Sequence, residues 1–550
     1  MMQSTVVKPI VWSIAGNDSG GGAGLTADQR MADACGVHLC PVVSTITAQN
    51  SLGVDGVYPL PTEVLEAQLQ ALAQDMPPRV VKTGLLANSE QVYLVARWID
   101  RLRMHSPHPV ALVVDPVLRA TTGARFADAH TLAAYQTQLL PRTTLLTPNR
   151  REAACLLGDA QAAATSAVPA QAARLRAHGI ASVCITGGDS LDSLPLMQPL
   201  LQPLMQPLMQ PLTQRLALDW LDTPHAQGWL ALPHLDVAHQ HGSGCSFAMA
   251  AAAALARGFV AADALVIAKM ATAHALRHGY AAGLGSGPVH ANSSFCADAS
   301  LMPWMSWGES PHFPALAAVQ RTSASVRGLY AIVDSSAQLD AVLAAGVRTV
   351  QLRIKAPDTA GTDWHAALER NLRHAMQACS QASASLFIND HLDTALACGA
   401  PGIHLGQEDL LALSDAQRQA LADNSSTALG ISSHSLWELA RARSLAPSYI
   451  ACGPIWPTTT KTMPWLPQGL DNLAWWSRMA GCPVVAIGGV LTTEQVRLAA
   501  SHGASAVCVV RALSGNPHAI VPGLQQALDS ALSSNAAQLA TLWPHPSLPT

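Results

Sequence analysis

The sequence is short of charge, of long apolar runs and of paired cysteines, and each shortage excludes something. Charged residues make up 12% of the chain, about half the ordinary share. Net charge is −4 with no cluster of Lys or Arg, so the electrostatic footprint of a nucleic-acid binder is missing. Mean hydropathy is +0.21, yet much of the apolar content is alanine. The longest uninterrupted apolar run, residues 247–256, is ten residues against the ~20 that cross a bilayer. No membrane partner is expected. Residues 1–8 show no charged stretch leading into an apolar one, so no secretory leader is predicted. The eleven cysteines are odd in number, scattered and without a Cys-x-x-Cys pair, which predicts reduced thiols and a cytoplasmic protein.

A length of 550 residues suits two domains of roughly 250 residues each. Residues 195–214 hold five near-copies of a Pro-Leu-Met-Gln unit; a proline every fourth position forbids a regular helix or central strand, so this is an expanded loop. Residues 291–326 mix Pro, Ser, Trp and His without periodicity and read as the linker. The first domain is set at 9–290 and the second at 327–530. Before the linker, strand-like runs at 10–16, 80–86, 111–117, 144–148 and 182–188 alternate with Ala-rich helical stretches, which predicts a parallel α/β sheet covered by helices. After it, eight runs (328–334, 349–354, 385–390, 402–406, 428–433, 449–455, 483–489, 506–513) are each separated by room for a helix, the arithmetic of a (β/α)8 barrel.

Chemistry-bearing residues in the first half gather around His241-Gly242-Ser243-Gly244-Cys245, which runs straight into a predicted helix. Glycine-flanked backbone N–H groups and the helix N-terminus could hold the negative charge of a transferring phosphoryl group. Cys245 at that terminus is expected to have a lowered thiol pKa and to act as a base, with Gly242 and Gly244 shaping the anion hole. Asn149 and Glu152, three apart at a strand-to-helix junction, could organise a metal–water cluster, although Asn-x-x-Glu is also a common helix cap. Thr186-Gly187-Gly188 could turn under a nucleotide.

With these motifs stand Ile14-Ala15-Gly16-Asn17-Asp18-Ser19-Gly20-Gly21-Gly22-Ala23-Gly24, Thr47-Ala48-Gln49-Asn50 and Gly287-Pro288-Val289-His290. In this order the region resembles the hydroxymethylpyrimidine/phosphomethylpyrimidine kinases of the ribokinase-like superfamily. The resemblance implies a three-layer ribokinase-like domain, ATP with Mg2+, and two successive phosphorylations of a hydroxymethylpyrimidine. It implies that Gln49 hydrogen-bonds the pyrimidine, that Gly16 lines its pocket and that Cys245 is the base. The repeat at 195–214 departs from the family near the nucleotide.

In the second half, Gln351-Leu352-Arg353-Ile354-Lys355 closes a strand, and alternation points Gln351, Arg353 and Lys355 to one side as pyrophosphate contacts. Asp390 and Asp409 follow neighbouring strands, close enough to share Mg2+. Thr458-Thr459-Thr460-Lys461, the glycines through Gly489 and the end of the last strand form a barrel phosphate site. Together these motifs resemble thiamine-phosphate synthase over about residues 327–525. That resemblance implies pyrimidine-pyrophosphate contacts from Asn389, Ser432 and Lys461, and thiazole-phosphate contacts from Thr458, Thr459, Thr460, Gly489, Val510 and Arg511, the last standing where the family carries Ser. The implied partners are small molecules; homo-oligomerisation is left open. The rival reading is a pyridoxal- or sugar-type kinase fused to another phosphate-binding barrel.

Overall fold

The computed structural model describes residues 7–118, 127–159, 165–188, 215–316, 326–357, 361–458, 464–533 and 543–549. The repeat at 195–214 and the triplet Thr459, Thr460 and Lys461 lie outside them. The chain divides into two compact units, the first ending at Pro303 and the second beginning at Trp304.

The first unit is built on nine strands: β1 (Ile10–Asp18), β2 (His38–Gln49), β3 (Val54–Pro59), β4 (Val80–Thr83), β5 (Ala111–Val114), β6 (Leu145–Leu146), β7 (Val183–Ile185), β8 (Leu216–Asp222) and β9 (Gln227–Pro233). They run β9-β8-β7-β6-β5-β4-β1-β2-β3 across the sheet. The centre is parallel; β3 pairs antiparallel with β2, and β8 and β9 add an antiparallel edge. Residues Val11 to Gly16 of β1 are buried in succession rather than alternately, so helices cover both faces of the sheet there. All five expected strands are present. β2, β3, β8 and β9 were not expected: β3 and β9 return antiparallel through short connections, residues 50–53 and 223–226, so no helical stretch separates them from the strands before them.

The boundary between the units falls inside the expected linker, whose described residues are packed. Within 291–303, Phe295 and Leu301 are buried, and Arg277 ties the segment down through Asp298 (3.2 Å) and Ser300 (2.7 Å). In the second unit the Trp307 indole donates to Ser444 Oγ at 2.9 Å with Arg441 over its ring, and Ala315 N donates to the Ser444 carbonyl. Single anchor side chains, not periodicity, hold residues 291–316, which is why their pattern resembled a free tether.

The second unit is a closed barrel of eight parallel strands in sequential order: Gly328–Val333, Thr349–Leu352, Ser385–Asn389, Gly402–Leu405, Ala428–Ser433, Tyr449–Cys452, Val484–Ala486 and Ala506–Val509. All eight were expected, each ending within a few residues of its predicted limit. Tyr330, Phe387, Tyr449, Val485 and Cys508 fill the interior, so the barrel is a packed core and its chemistry is confined to the C-terminal rim. No helix among the described residues is long and apolar enough to cross a membrane.

Candidate active sites

In the first unit the glycine-rich turn after β1 is organised by Asp18, whose carboxylate accepts the N–H groups of Gly20 (2.8 Å), Gly22 (2.9 Å) and Ala23 (2.8 Å). Burial alone would raise the Asp18 carboxyl, but the His241 hydrogen bond and these three backbone donors outweigh it and hold it below the usual value. His241 Nε2 lies 3.2 Å from Asp18 Oδ2 and 3.2 Å from the Gln49 amide. One nitrogen cannot donate to the first and accept from the second; when His241 donates to Asp18, Gln49 presents its carboxamide oxygen. A Cβ on Gly22 would fall 1.9 Å from His241 Cδ2, and one on Gly242 (φ +83°) 2.1 Å from the Gly22 carbonyl oxygen. Only glycine allows the two loops to nest. Gly16 is buried at a bulge in β1, with Gly24 close over its carbonyl.

The structure thus brings Gln49, His241 and Gly242 onto one glycine-rich turn, with Gly16 against Gly24 at the turn's end and Cys245 in the first turn of the helix Ser243–Ala256. The expected fall in the Cys245 pKa is corrected. Burial pushes the thiol up to about 12; Lys82 pulls it down, while Asp115 and Asp28 push it up. The thiol hydrogen-bonds Asp115. Beneath it Lys82, fully buried, donates to both oxygens of Asp28 at 3.0 Å and lies 3.7 Å from Asp115. Ser13 Oγ donates to Asp28 at 2.6 Å. The helix terminus alone would favour a thiolate; burial reverses it, and Asp115 and Asp28 add to the rise.

Asn149 and Glu152 form a capping box on the helix Arg150–Leu156, each side chain accepting the other's backbone N–H at 2.9 Å. The helix cap that this spacing also allows is therefore present. Thr186 bridges Asn149 through its backbone, and Gly187 N donates to Asp219, itself paired with the buried Lys269 at 2.6 Å. That ion pair fixes the Thr186-Gly187-Gly188 turn from below.

In the barrel a continuous hydrogen-bonded chain crosses the interior beneath the rim. The Gln351 amide donates to Asn389 Oδ1, Tyr330 OH donates to Gln351 Oε1 at 3.1 Å and meets Tyr449 OH at 2.7 Å, and His404 spans Tyr449 OH (2.7 Å) and Ser432 Oγ (2.9 Å). Three predicted contacts, Gln351, Asn389 and Ser432, are therefore one unit. Its linkers Tyr330, His404 and Tyr449 were not predicted; inward polar residues on otherwise apolar strands were the available signal. Arg353 is half-buried and Lys355 exposed, both just beyond the strand's end. The Leu352 side chain is buried. Ile354 offers its carbonyl to His391 Nε2 at 2.6 Å.

Asp390 (φ +60°) and Asp409 follow the adjacent third and fourth strands, at the same end of the barrel. Asp409 also caps its helix, accepting Gly406 N at 2.9 Å. Among the described residues no three His, Cys, Asp or Glu side chains converge as a metal group. Two hard carboxylates at a polar rim still fit Mg2+, which keeps most of its shell as water and substrate oxygens. Gly488 and Gly489 (φ +91° and +73°) press on Pro454 and Trp456 so closely that a Cβ on either would lie 2.6 Å from them, docking the seventh strand's turn on the segment leading to Thr458. Val510 packs on the barrel core and Arg511 is exposed.

Burial, reinforced by the nearby cations Arg353 and His434, lowers the His404 pKa to about 4. Unfolded, this imidazole takes up a proton below its ordinary 6.5; folded, it does not until about 4. The unfolded state therefore binds more protons in that window, and stability falls as pH drops through it, by up to about 3 kcal/mol from this group. Calorimetry of the full chain at pH 7 and pH 5 should show the barrel transition falling, and falling less in His404→Asn. An unchanged pH difference in the variant would assign the effect elsewhere.

Comparisons with known proteins cover both units. Residues 18–290 match the family model described as phosphomethylpyrimidine kinase, and residues 329–513 the one described as thiamine monophosphate synthase. A probable chloroplastic thiamine biosynthetic bifunctional enzyme of Oryza sativa is 30% identical over 88% of this chain and 81% of its own length. A hydroxymethylpyrimidine/phosphomethylpyrimidine kinase of Mycobacterium tuberculosis is 37% identical over 52% of this chain and 94% of its own. A thiamine-phosphate synthase of Neisseria meningitidis is 42% identical over 36% of this chain and 94% of its own.

Proposed function

The chain belongs to the family of bifunctional thiamine biosynthetic enzymes, and from that premise we propose how its two sites share one pathway. The first unit is a hydroxymethylpyrimidine/phosphomethylpyrimidine kinase and the second a thiamine-phosphate synthase. The product of the first, a pyrimidine methyl pyrophosphate, is the electrophile of the second.

In the kinase the donor is ATP. Gln49, held beside His241, recognises the aminopyrimidine edge, for which a carboxamide supplies both donor and acceptor. The N–H groups at the start of the helix Ser243–Ala256 face the charge that develops on the transferring phosphoryl group. Cys245 takes the hydroxymethyl proton as its own thiol proton passes to Asp115, whose carboxyl is raised by burial, and Lys82 balances the charge. The observation that carries the reading is the nesting of Gln49, His241 and Gly242 on one glycine-rich turn.

In the synthase Arg353, Lys355 and Lys461 hold the departing pyrophosphate, and Asn389 and Ser432 hold the pyrimidine. Mg2+ held by Asp390 and Asp409 would neutralise pyrophosphate charge. Departure leaves an electron-rich pyrimidine methylene cation for the thiazole nitrogen, and neutral His404 keeps its nitrogens in the hydrogen-bonded chain beneath the rim rather than taking a proton. Thr458 and Gly489 meet the thiazole phosphate.

The test is the full chain with hydroxymethylpyrimidine, ATP, Mg2+ and thiazole phosphate. Thiamine phosphate should form, with ATP dispensable once the pyrimidine pyrophosphate is supplied directly. Preferential turnover of pyridoxal or ribose would sink the kinase assignment; failure to couple supplied pyrophosphate would sink the synthase one.

A further inference from the structure

Residues 543–549 lie beyond the span matched by the synthase family model, which ends at 513, yet they are built into the barrel rim. Ser547 and Leu548 are buried. His545 N donates to Asn472 Oδ1 at 2.8 Å and Asn472 Nδ2 returns a bond to the His545 carbonyl at 3.1 Å. His545 Nε2 reaches the Gln468 carbonyl at 2.7 Å, and Leu466 N donates to the Ser547 carbonyl at 2.9 Å. Four bonds thus fasten the segment to residues 466–472.

The far side of residues 466–472 grips the strand ends that carry the site. Gln468 is fully buried. Its N–H donates to the Pro454 carbonyl and its amide to the His434 carbonyl, both at 2.7 Å, while Gly469 N donates to the Ile455 carbonyl. Asn472 Nδ2 also donates to Gln468 Oε1 at 2.8 Å. His434 stands two residues after Ser432, and Ile455 three before Thr458. Gln468 is therefore a cross-brace between the fifth and sixth strand ends, and the 543–549 segment is its outer support.

We propose that residues 543–549 are a strap that sets the spacing of Ser432 and Thr458, with His545 a positioning residue for the synthase reaction. The inference rests on the reading of Thr458 as a thiazole-phosphate contact. The strap touches no reacting atom; it holds the acceptor-phosphate side of the rim in register through Gln468.

The experiment uses the full chain, with pyrimidine pyrophosphate supplied directly and kinase turnover as the control for folding. His545→Ala and deletion of 543–549 should raise KM for thiazole phosphate about ten-fold, equivalent to about 1.4 kcal/mol, with kcat within about two-fold. His545→Gln, which keeps an N–H donor, should recover most of the loss. An unchanged thiazole-phosphate KM in both, or equal losses in the two substrates' KM, or a fall in kcat alone, overturns the proposal. Thr458→Ala separates the layers: if it leaves that KM unaltered the site reading fails, whereas a raised KM there with none in His545→Ala fails the strap alone.

Discussion

Replacing Lys82 by methionine is expected to lower kinase turnover about 100-fold or more, the range of a lost acid–base step, and to melt the first unit roughly 10 °C earlier. Lys82 has no solvent exposure and is the ammonium shared by Asp28 and Asp115. Removing one partner of such a buried group leaves uncompensated charge, which costs about 3–5 kcal/mol, and a few degrees are lost per kcal/mol in a unit of this size. The turnover loss has a separate origin. Lys82 is the charged group that draws the Cys245 proton affinity down, helped by the Gly24 backbone; burial, Asp115 and Asp28 all push it up. Without the cation the thiol cannot pass its proton inward. The double variant Lys82→Met with Asp28→Asn removes the stranded anion, so it should regain most of the melting temperature but not the turnover. Calorimetry with initial-rate assays reads both. Recovery of turnover in the double variant would make the network a structural ion pair and no more. The synthase rate is the internal control and should not move.

The same network marks where sequence reading stopped. The barrel was legible because each strand is a short apolar run and each is followed by a helix-length stretch, a pattern that repeats eight times. Gln351 was legible as a polar residue on an apolar strand, and it is buried in the hydrogen-bonded chain with Asn389. Lys82 was visible as a lysine inside the apolar strand Val80–Thr83, a signal for a buried partner, but the partners Asp28 and Asp115 lie 54 and 33 positions away and only the sheet brings them together. The Cys245 expectation failed for that reason: a helix terminus is a local feature, whereas the burial that dominates the thiol, and the carboxylates that add to it, arise only in the folded sheet. Asn149 and Glu152 show the converse. Their spacing fits both a cap and a metal pair, and the cap, made by local backbone bonds, was the part legible in the sequence. His241 and Asp18 stood inside quoted motifs without an assigned role; the contact between them spans 223 positions.

Asp409→Asn should lower the coupling rate at least ~100-fold, the upper range for disturbing a metal's surroundings, while leaving the barrel's melting temperature and the kinase rate unchanged. The reasoning turns on two tasks carried by one carboxylate. Asp409 Oδ2 accepts Gly406 N at the start of the helix Gln407–Ala412, a task that asparagine performs with its own carboxamide oxygen. The negative charge, which would help hold Mg2+ against the pyrophosphate, is the part asparagine cannot supply. Asp409→Ala loses both, and so should add a stability loss of about 0.5–2 kcal/mol, the worth of an N-terminal cap. Comparing the two variants subtracts the cap from the charge. The Mg2+ concentration for half-maximal coupling should rise in Asp409→Asn, and partial recovery at high Mg2+ is the signature of a weakened ligand. Should Asp409→Asn couple at the wild-type rate with ordinary Mg2+ dependence, capping alone would explain the residue, and Asp390 would be left to hold the ion without it.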